Sequence, residues 1–126
     1  MVKTFEDLEC WGAGRDLRNF IAKTIVPLLP VNEKHRLADQ IIRAARSITA
    51  NIAEGYGRFH YADNAKFCSN ARGSCFEVID HLITANEEGM ISDDMCGEGK
   101  EHAYNAIKLL NGYMKYLKNA SQANNQ

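Results

Sequence analysis

The sequence is poor in the features that mark membrane, secreted and β-rich proteins. It has only two prolines, Pro27 and Pro30, which leaves most of the chain free to be helical. Its apolar runs are far shorter than the roughly 20 residues that cross a bilayer, so no membrane partner is expected. No segment alternates β-branched and polar residues as a half-buried strand does. Acids occupy the N-terminal MVKTFEDLEC where an export signal has an apolar core, which predicts a cytoplasmic protein.

Cysteine is scarce and unpatterned. The four cysteines, Cys10, Cys68, Cys75 and Cys96, include no C-x-x-C pair, so neither a disulfide framework nor a zinc ribbon is indicated. Cys68 and Cys75 are seven residues apart and share a helix face, as small apolar residues do. They are therefore predicted to be buried free thiols.

No excess of either charge is present. Fifteen basic and sixteen acidic side chains give a net charge of -1, which excludes a strongly basic nucleic-acid-binding protein but not a local basic patch. The charge is uneven: residues 1–58 carry a net +2, residues 59–101 a net -6 and residues 102–126 a net +3. These charges either attract one another within or between subunits, or belong to solvated faces.

Four segments repeat apolar residues every three or four positions, which predicts four helices. They run from Thr4 to Pro27, from Asn32 to Gly55, from about His60 to Gly89, and from Ser92 to residue 119. Gly55 is predicted to end the second helix in the left-handed conformation, and Gly97 and Gly99 to weaken the fourth. Short connections favour an all-α, antiparallel up-down-up-down four-helix bundle. Residues 1–119 form one domain, and residues 120–126 are predicted to be a disordered polar tail.

No catalytic, metal-binding or cofactor-binding pattern is found. A di-iron bundle uses Glu-x-x-His, and none of the four histidines has an acid three positions before it. Glu77 with His81, and Glu98 with His102, are spaced to share a metal, but such helix-surface pairs are common. The chain is therefore predicted not to be an enzyme and to need no cofactor.

The second helix carries a dense polar stripe opposite its isoleucines. Its members fall within about 80° of one another at 100° per residue. They are Arg43, Ser47, Asn51, Glu54 and Arg58. A second face of the third helix includes Glu77 and Asp80. Either both stripes face solvent, or they meet in a polar groove or subunit contact in which an arginine of one pairs with an acid of the other.

The fourth helix has a wider apolar arc than one bundle core needs. Leu109, Tyr113 and Tyr116 lie beside its core stripe, turned by roughly 90–120°. Contiguous apolar surface marks interfaces, and tyrosine is favoured in them. These three residues are predicted to lie at a subunit contact of a homo-oligomer.

Four segments together resemble a known family. FEDLECW, RAARSITANIAEGYGR, ARGSCFEV and LLNGYMKYLK are similar to motifs of the four-helix bundle protein family, also called 23S rRNA intervening-sequence proteins. The resemblance implies an antiparallel four-helix bundle in a ring, commonly a homopentamer, with no enzymatic activity. The motif positions are Arg43, Ser47, Asn51, Glu54, Gly55, Gly57, Arg58, Gly73, Ser74 and Glu77. Gly55 and Gly57 would allow a turn, and Gly73 a close backbone approach.

Two functions follow as hypotheses. The first is a non-enzymatic, self-assembling scaffold or adaptor of unknown biological role. The second is a nucleic-acid-binding accessory protein, similar to those of the bacterial diversity-generating retroelements. Its predicted contacts are Arg43, Arg46, Arg58, Lys108, Lys115 and Lys118.

Overall fold

The computed structural model describes residues 1–123, which form four helices and no strand. The helices are α1 (Glu9–Phe20), α2 (Leu37–Tyr56), α3 (Tyr61–Glu87) and α4 (Asp93–Ala123). This confirms the predicted all-α class and the number of helices. None of the helices described is apolar enough over a sufficient length to cross a membrane.

Helix α1 is shorter than the sequence pattern indicated. The carboxylate of Asp7 accepts the backbone N–H of Thr4 at 3.2 Å, but this contact closes only a 3₁₀ turn, Phe5–Asp7. At the other end, a π turn (Ile21–Ile25) and a 3₁₀ turn (Val26–Leu28) follow α1. Pro27 has no N–H to donate to the preceding turn, so the regular hydrogen-bond ladder changes before it reaches the proline.

Helix α2 begins and ends later than predicted. Residues Val31–Glu33 form a separate 3₁₀ turn, and the Leu37 N–H then donates to Oε1 of Glu33 at 3.2 Å. Gly55 lies buried inside α2 rather than ending it in a left-handed conformation. Among the glycines described, positive φ occurs at Gly89, where φ is 77°, just beyond the end of α3.

Helix α4 begins as predicted and extends further than predicted. The Met95 N–H donates to Oγ of Ser92 at 3.1 Å, so Ser92 is the N-cap. The helix continues to Ala123, past the predicted limit at residue 119, because Ser121 follows Leu117 on the core stripe and is buried against the start of α3. The remaining tail residues, 124–126, lie outside the described part of the chain.

The helix stripes meet in a single apolar core. Helices α1 and α3 each pack against both α2 and α4. Contacts of α3 with α4 run from Asn64–Tyr113 at one end to Leu82–Cys96 at the other, so these two helices point in opposite directions. The core is lined largely by fully buried side chains, among them Leu17, Ile41, Ile48, Ile52, Cys75, Val78, Leu82 and Leu110.

Three glycines allow helices to approach closely. A Cβ on Gly55 would lie 2.7 Å from Oδ1 of Asn64, and one on Gly99 would lie 2.7 Å from Cδ1 of Leu82. A Cβ on Gly14 would lie 3.0 Å from Cγ2 of Ile48. Gly99 is thus a packing residue, whereas Gly73, predicted to allow a close approach, is exposed with nothing within 4 Å of its Cβ position.

Candidate interaction surfaces

Part of the predicted polar stripe joins α2 to α3. Nδ2 of Asn51 donates to the backbone oxygen of Ser47 at 2.8 Å and lies 3.0 Å from its Oγ. The Ser47 and Ser74 hydroxyls share a hydrogen bond at 2.9 Å across the two helices. These side chains satisfy one another, so their arrangement holds helices together and leaves no open polar cleft.

The charged members of the stripe form ion pairs along their own helices. Arg43 pairs with Asp39 at 2.9 Å, and Arg58 pairs with Glu54 at 2.8 Å. Within one subunit, therefore, neither Arg43 nor Arg58 meets Glu77 or Asp80 of α3; the same pairing across a subunit contact stays a prediction. An acid one turn away on the same helix is the nearer partner, and such surface pairs contribute only about 0.5 kcal/mol.

The remaining motif residues also have local contacts. Glu77 is exposed and lies 3.3 Å from Nε2 of His81, one turn along α3. The Arg58 guanidinium lies over the Phe67 ring, 4.6 Å from its centroid. Gly57 is the C-cap of α2 and has a negative φ of -76°. Any residue type can adopt this conformation, so the turn at Gly57 does not require the conformational freedom of glycine that the sequence predicted.

The three residues predicted for a subunit contact lie together on α4. Tyr113 is half-buried, its hydroxyl accepts Nδ2 of Asn64 at 3.0 Å, and burial raises its pKa to about 12. Its ring stacks on Tyr116, which is 58% exposed. Leu109 lines a shallow cavity of about 420 Å³ between α1 and α4. Tyr113 therefore stabilises the contact between α3 and α4, while Tyr116 and Leu109 leave apolar surface exposed to solvent.

The six basic residues predicted to contact nucleic acid do not form one patch. Lys108 lines the cavity between α1 and α4, Lys118 lines a groove between α3 and α4, and Arg46 faces α1. Arg43 and Arg58 are paired with acids, and Lys115 is exposed on α4. The positive charge is thus distributed around the bundle.

A groove between α1 and α2 was missed by the sequence pattern. It has a volume of about 460 Å³ and is called here the α1–α2 groove; it is lined by Phe5, Trp11, Arg18, Arg46, Thr49, Ala50 and Ala53. Nη1 of Arg18 donates to Oγ1 of the buried Thr49 at 3.0 Å, which holds this guanidinium at the groove that Arg46 also lines. The sequence signal that could have predicted this groove is the pair of small residues Ala50 and Ala53, one and two turns after Arg46 on the same face of α2.

The cysteines are all free and buried in the bundle. Burial raises the pKa of the Cys10 thiol to about 11 and those of Cys68 and Cys75 to about 12. Such thiols stay protonated and are poor nucleophiles at neutral pH. Within residues 1–123, no three metal-ligating side chains cluster.

We expect the protein to lose stability as pH rises above about 9. In the unfolded chain the thiols ionise near their ordinary pKa of 9.0, whereas the fold holds Cys68 and Cys75 neutral up to about pH 12. Proton release then favours the unfolded state throughout this interval. The urea midpoint should fall between neutral pH and about pH 10.5, and by less in a Cys68→Ala/Cys75→Ala variant. Equal slopes in both proteins would contradict the assignment.

The geometry defines a class of protein: a four-helix, all-α protein in which polar side chains of the motif join α2 to α3. The model of the family described as 23S rRNA-intervening sequence protein matches residues 6–112, so the chain belongs to that family.

A solved structure shares the fold. It is the crystal structure of a protein of unknown function from the S23 ribosomal protein family of Bacteroides thetaiotaomicron VPI-5482. The two chains are 22% identical, with a TM-score of 0.75, over 84% of this chain and 98% of that chain. No curated protein matches the sequence.

Proposed function

We propose that this protein is a non-enzymatic, self-assembling scaffold or adaptor of the bacterial cytoplasm. In this proposal its helices form an up-down-up-down bundle, and copies of the bundle associate into a ring, most simply a pentamer. The observation that carries the proposal is a second, outward-facing stripe on α4 that the core of the bundle does not use.

That stripe has the character of a protein interface. Tyr116 is 58% exposed and stacks on Tyr113 with ring centroids 6.1 Å apart. Leu109 and Gly112 continue the surface toward the cavity shared with α1. Aromatic side chains of this kind are enriched at the centres of protein interfaces.

The uneven charge supports contact between copies. Arg43 and Arg58 of α2 pair with acids of their own helix. They therefore do not neutralise the net negative charge of residues 59–101 within one subunit. A contact between different faces of neighbouring copies would bring opposite charges together. Such a heterologous contact closes into a ring when its rotation allows.

Assembly is tested by light scattering at micromolar concentration. The wild type is expected to have about five times the mass of the 14.1 kDa chain. Tyr116→Glu should dissociate it, because a carboxylate in a desolvated interface has no partner. Tyr113 is left intact, since its hydroxyl holds the buried Asn64. Tyr104→Glu, on an equally exposed tyrosine of α4 facing α3, is the matched control and should assemble normally. A wild-type mass of one chain would contradict the proposal.

Nucleic-acid binding is expected to be absent at physiological salt. Lys108, Lys118 and Arg46 line three different surface depressions, and Arg43 and Arg58 are paired with acids, so the six basic residues of one subunit do not form a single patch for phosphate contacts. Micromolar protein should leave the electrophoretic mobility of an rRNA fragment and of duplex DNA unchanged. Tight binding that weakens steeply with added salt would favour the accessory-protein hypothesis instead.

A further inference from the structure

Two arginines in the described residues lack an anionic or aromatic partner, and both line the α1–α2 groove. Arg15, Arg36, Arg43 and Arg58 pair with acids, and Arg72 binds Asn111 and lies over the Phe76 ring. Arg18 donates to the neutral Thr49 hydroxyl, and Arg46 has no intrachain partner. No carboxylate lines the groove, so two positive charges are left uncompensated along it.

The groove has a charged half and an apolar half. Arg18 and Arg46 form one half, while Phe5, Trp11 and Ala53 lie in the other, about two helical turns away. A matching occupant would be a helix that has carboxylates on one part of a face and apolar side chains two turns further along the same face.

Helix α4 carries this pattern on its outer side. Within about 80° at 100° per residue, between positions 98 and 116, lie six residues, called here the outer stripe. They are Glu98, Glu101, Asn105, Leu109, Gly112 and Tyr116. Among residues 1–123 neither acid has an ion-pair partner, and Glu101 precedes Leu109 by about two turns. The spacing of three and four residues is that of a helix-packing seam.

Gly112 has no explanation within one subunit. A glycine inside a helix costs about 1 kcal/mol relative to alanine. Gly14, Gly55 and Gly99 are each packed against a neighbouring helix, whereas Gly112, like Gly12, Gly73 and Gly97, has nothing within 4 Å of its Cβ position. On the outer stripe it leaves room for a bulky side chain from another chain.

The groove and the outer stripe lie at matching heights along the bundle. Within one subunit, the Phe20 ring of α1 lies 4.8 Å from that of His102, so Arg18 and Glu101 are at similar levels. Near the other end, Leu8 and Cys10 line one cavity with Leu109 and Gly112, which places Trp11 at the level of Leu109. Rotation about an axis parallel to the bundle would therefore bring acids opposite arginines and apolar residues opposite aromatic ones.

We infer that the α1–α2 groove receives the outer stripe of α4 from a second copy of this chain. Glu98 and Glu101 of one copy neutralise Arg18 and Arg46 of the next, and Leu109 and Tyr116 cover the Trp11 end. This inference rests on the proposed self-assembly and specifies its two faces. Because those faces differ, each subunit can donate its stripe on one side and receive a stripe on the other.

Charge reversal tests the pairing. A groove variant, Arg46→Glu/Ala50→Glu, and a stripe variant, Glu98→Arg/Glu101→Arg, change exposed residues only. Each should weaken assembly by about 100-fold or more in dissociation constant, because like charges then face one another across the interface. All four substitutions in one chain should restore much of the assembly. Arg43→Glu, three residues before Arg46 and outside the groove, and Glu87→Lys/Glu88→Lys are the matched controls. Circular dichroism melting checks that every variant is folded.

The possible outcomes distinguish a failure of this inference from a failure of the proposed self-assembly. A monomeric wild type would overturn self-assembly itself. An oligomeric wild type whose assembly survives both reversals would overturn only the choice of faces. Loss of assembly in each variant without restoration in the combined chain would show that the two surfaces contact something other than each other, and would also overturn the pairing.

Discussion

Leu82→Ala should lower the free energy of unfolding by about 3 kcal/mol, as expected for a leucine truncated in a well-packed core. The Leu82 side chain is fully buried, and its two methyl groups fill the space that Gly99 leaves open between α3 and α4. Its removal leaves a cavity that α3 and α4 can fill only by shifting toward each other, which the packing around them resists. Urea unfolding measures the loss, and Phe76→Ala, on the exposed side of the same helix, should cost far less.

A double-mutant cycle sharpens this prediction. Gly99→Ala alone places a Cβ 2.7 Å from Cδ1 of Leu82, so it should destabilise the protein. In the Leu82→Ala background the same Cβ enters the cavity, and its cost should vanish or reverse. The two changes should therefore be strongly non-additive. Additivity within about 0.5 kcal/mol would show that the two residues do not share one space.

Gly55→Ala is expected to cost about 2 kcal/mol, within the range for overpacking a close helix contact. The added Cβ would lie 2.9 Å from the backbone oxygen of Asn64 and 2.9 Å from Cβ of Phe67. A backbone atom cannot rotate away as the end of a side chain can, so α2 and α3 must separate. The hydrogen bond from Asn64 to Tyr113 lies beside this contact and would be strained as well.

Gly73→Ala is the matched control for Gly55→Ala. It lies within α3, is exposed, and has open space at its Cβ position. Alanine should raise the free energy of unfolding there by up to about 1 kcal/mol, which is the helix-propensity difference. Both variants are measured by thermal and urea unfolding. Equal effects of the same sign at the two positions would contradict the packing role of Gly55.

The apolar stripes predicted the core well but assigned the glycines poorly. Gly55 lies one turn beyond Ile52 on the core stripe of α2, and Gly99 lies between Cys96 and Ala103 on that of α4. Gly73 lies off the core stripe of α3. A glycine on a core stripe faces a neighbouring helix, so the periodicity itself distinguished the packing glycines from the exposed one. The assignment of Gly55 to a turn, of Gly99 to a weakened helix and of the close approach to Gly73 did not use this periodicity.

The helix ends and the surface grooves could not be predicted from the sequence without the three-dimensional structure. Pro27 indicates that a helix must stop, but not that its ladder changes to a π turn from Ile21 onward. Arg18 and Arg46 look like ordinary surface charges until α1 and α2 are known to be neighbours, with Arg18 of α1 bonded to Thr49 of α2. Sequence spacing fixes positions on one helix, whereas a groove depends on the relative height and rotation of two.

The four buried thiols can report local opening of the helices. All four cysteines are buried, and a bulky alkylating reagent reaches them only when helices part. Cys10 belongs to α1 and Cys96 to the start of α4, while Cys68 and Cys75 lie within α3, so each reports on a different portion of the molecule. Mass spectrometry of partially alkylated protein would then give local opening rates for separate parts of the molecule, with no label introduced.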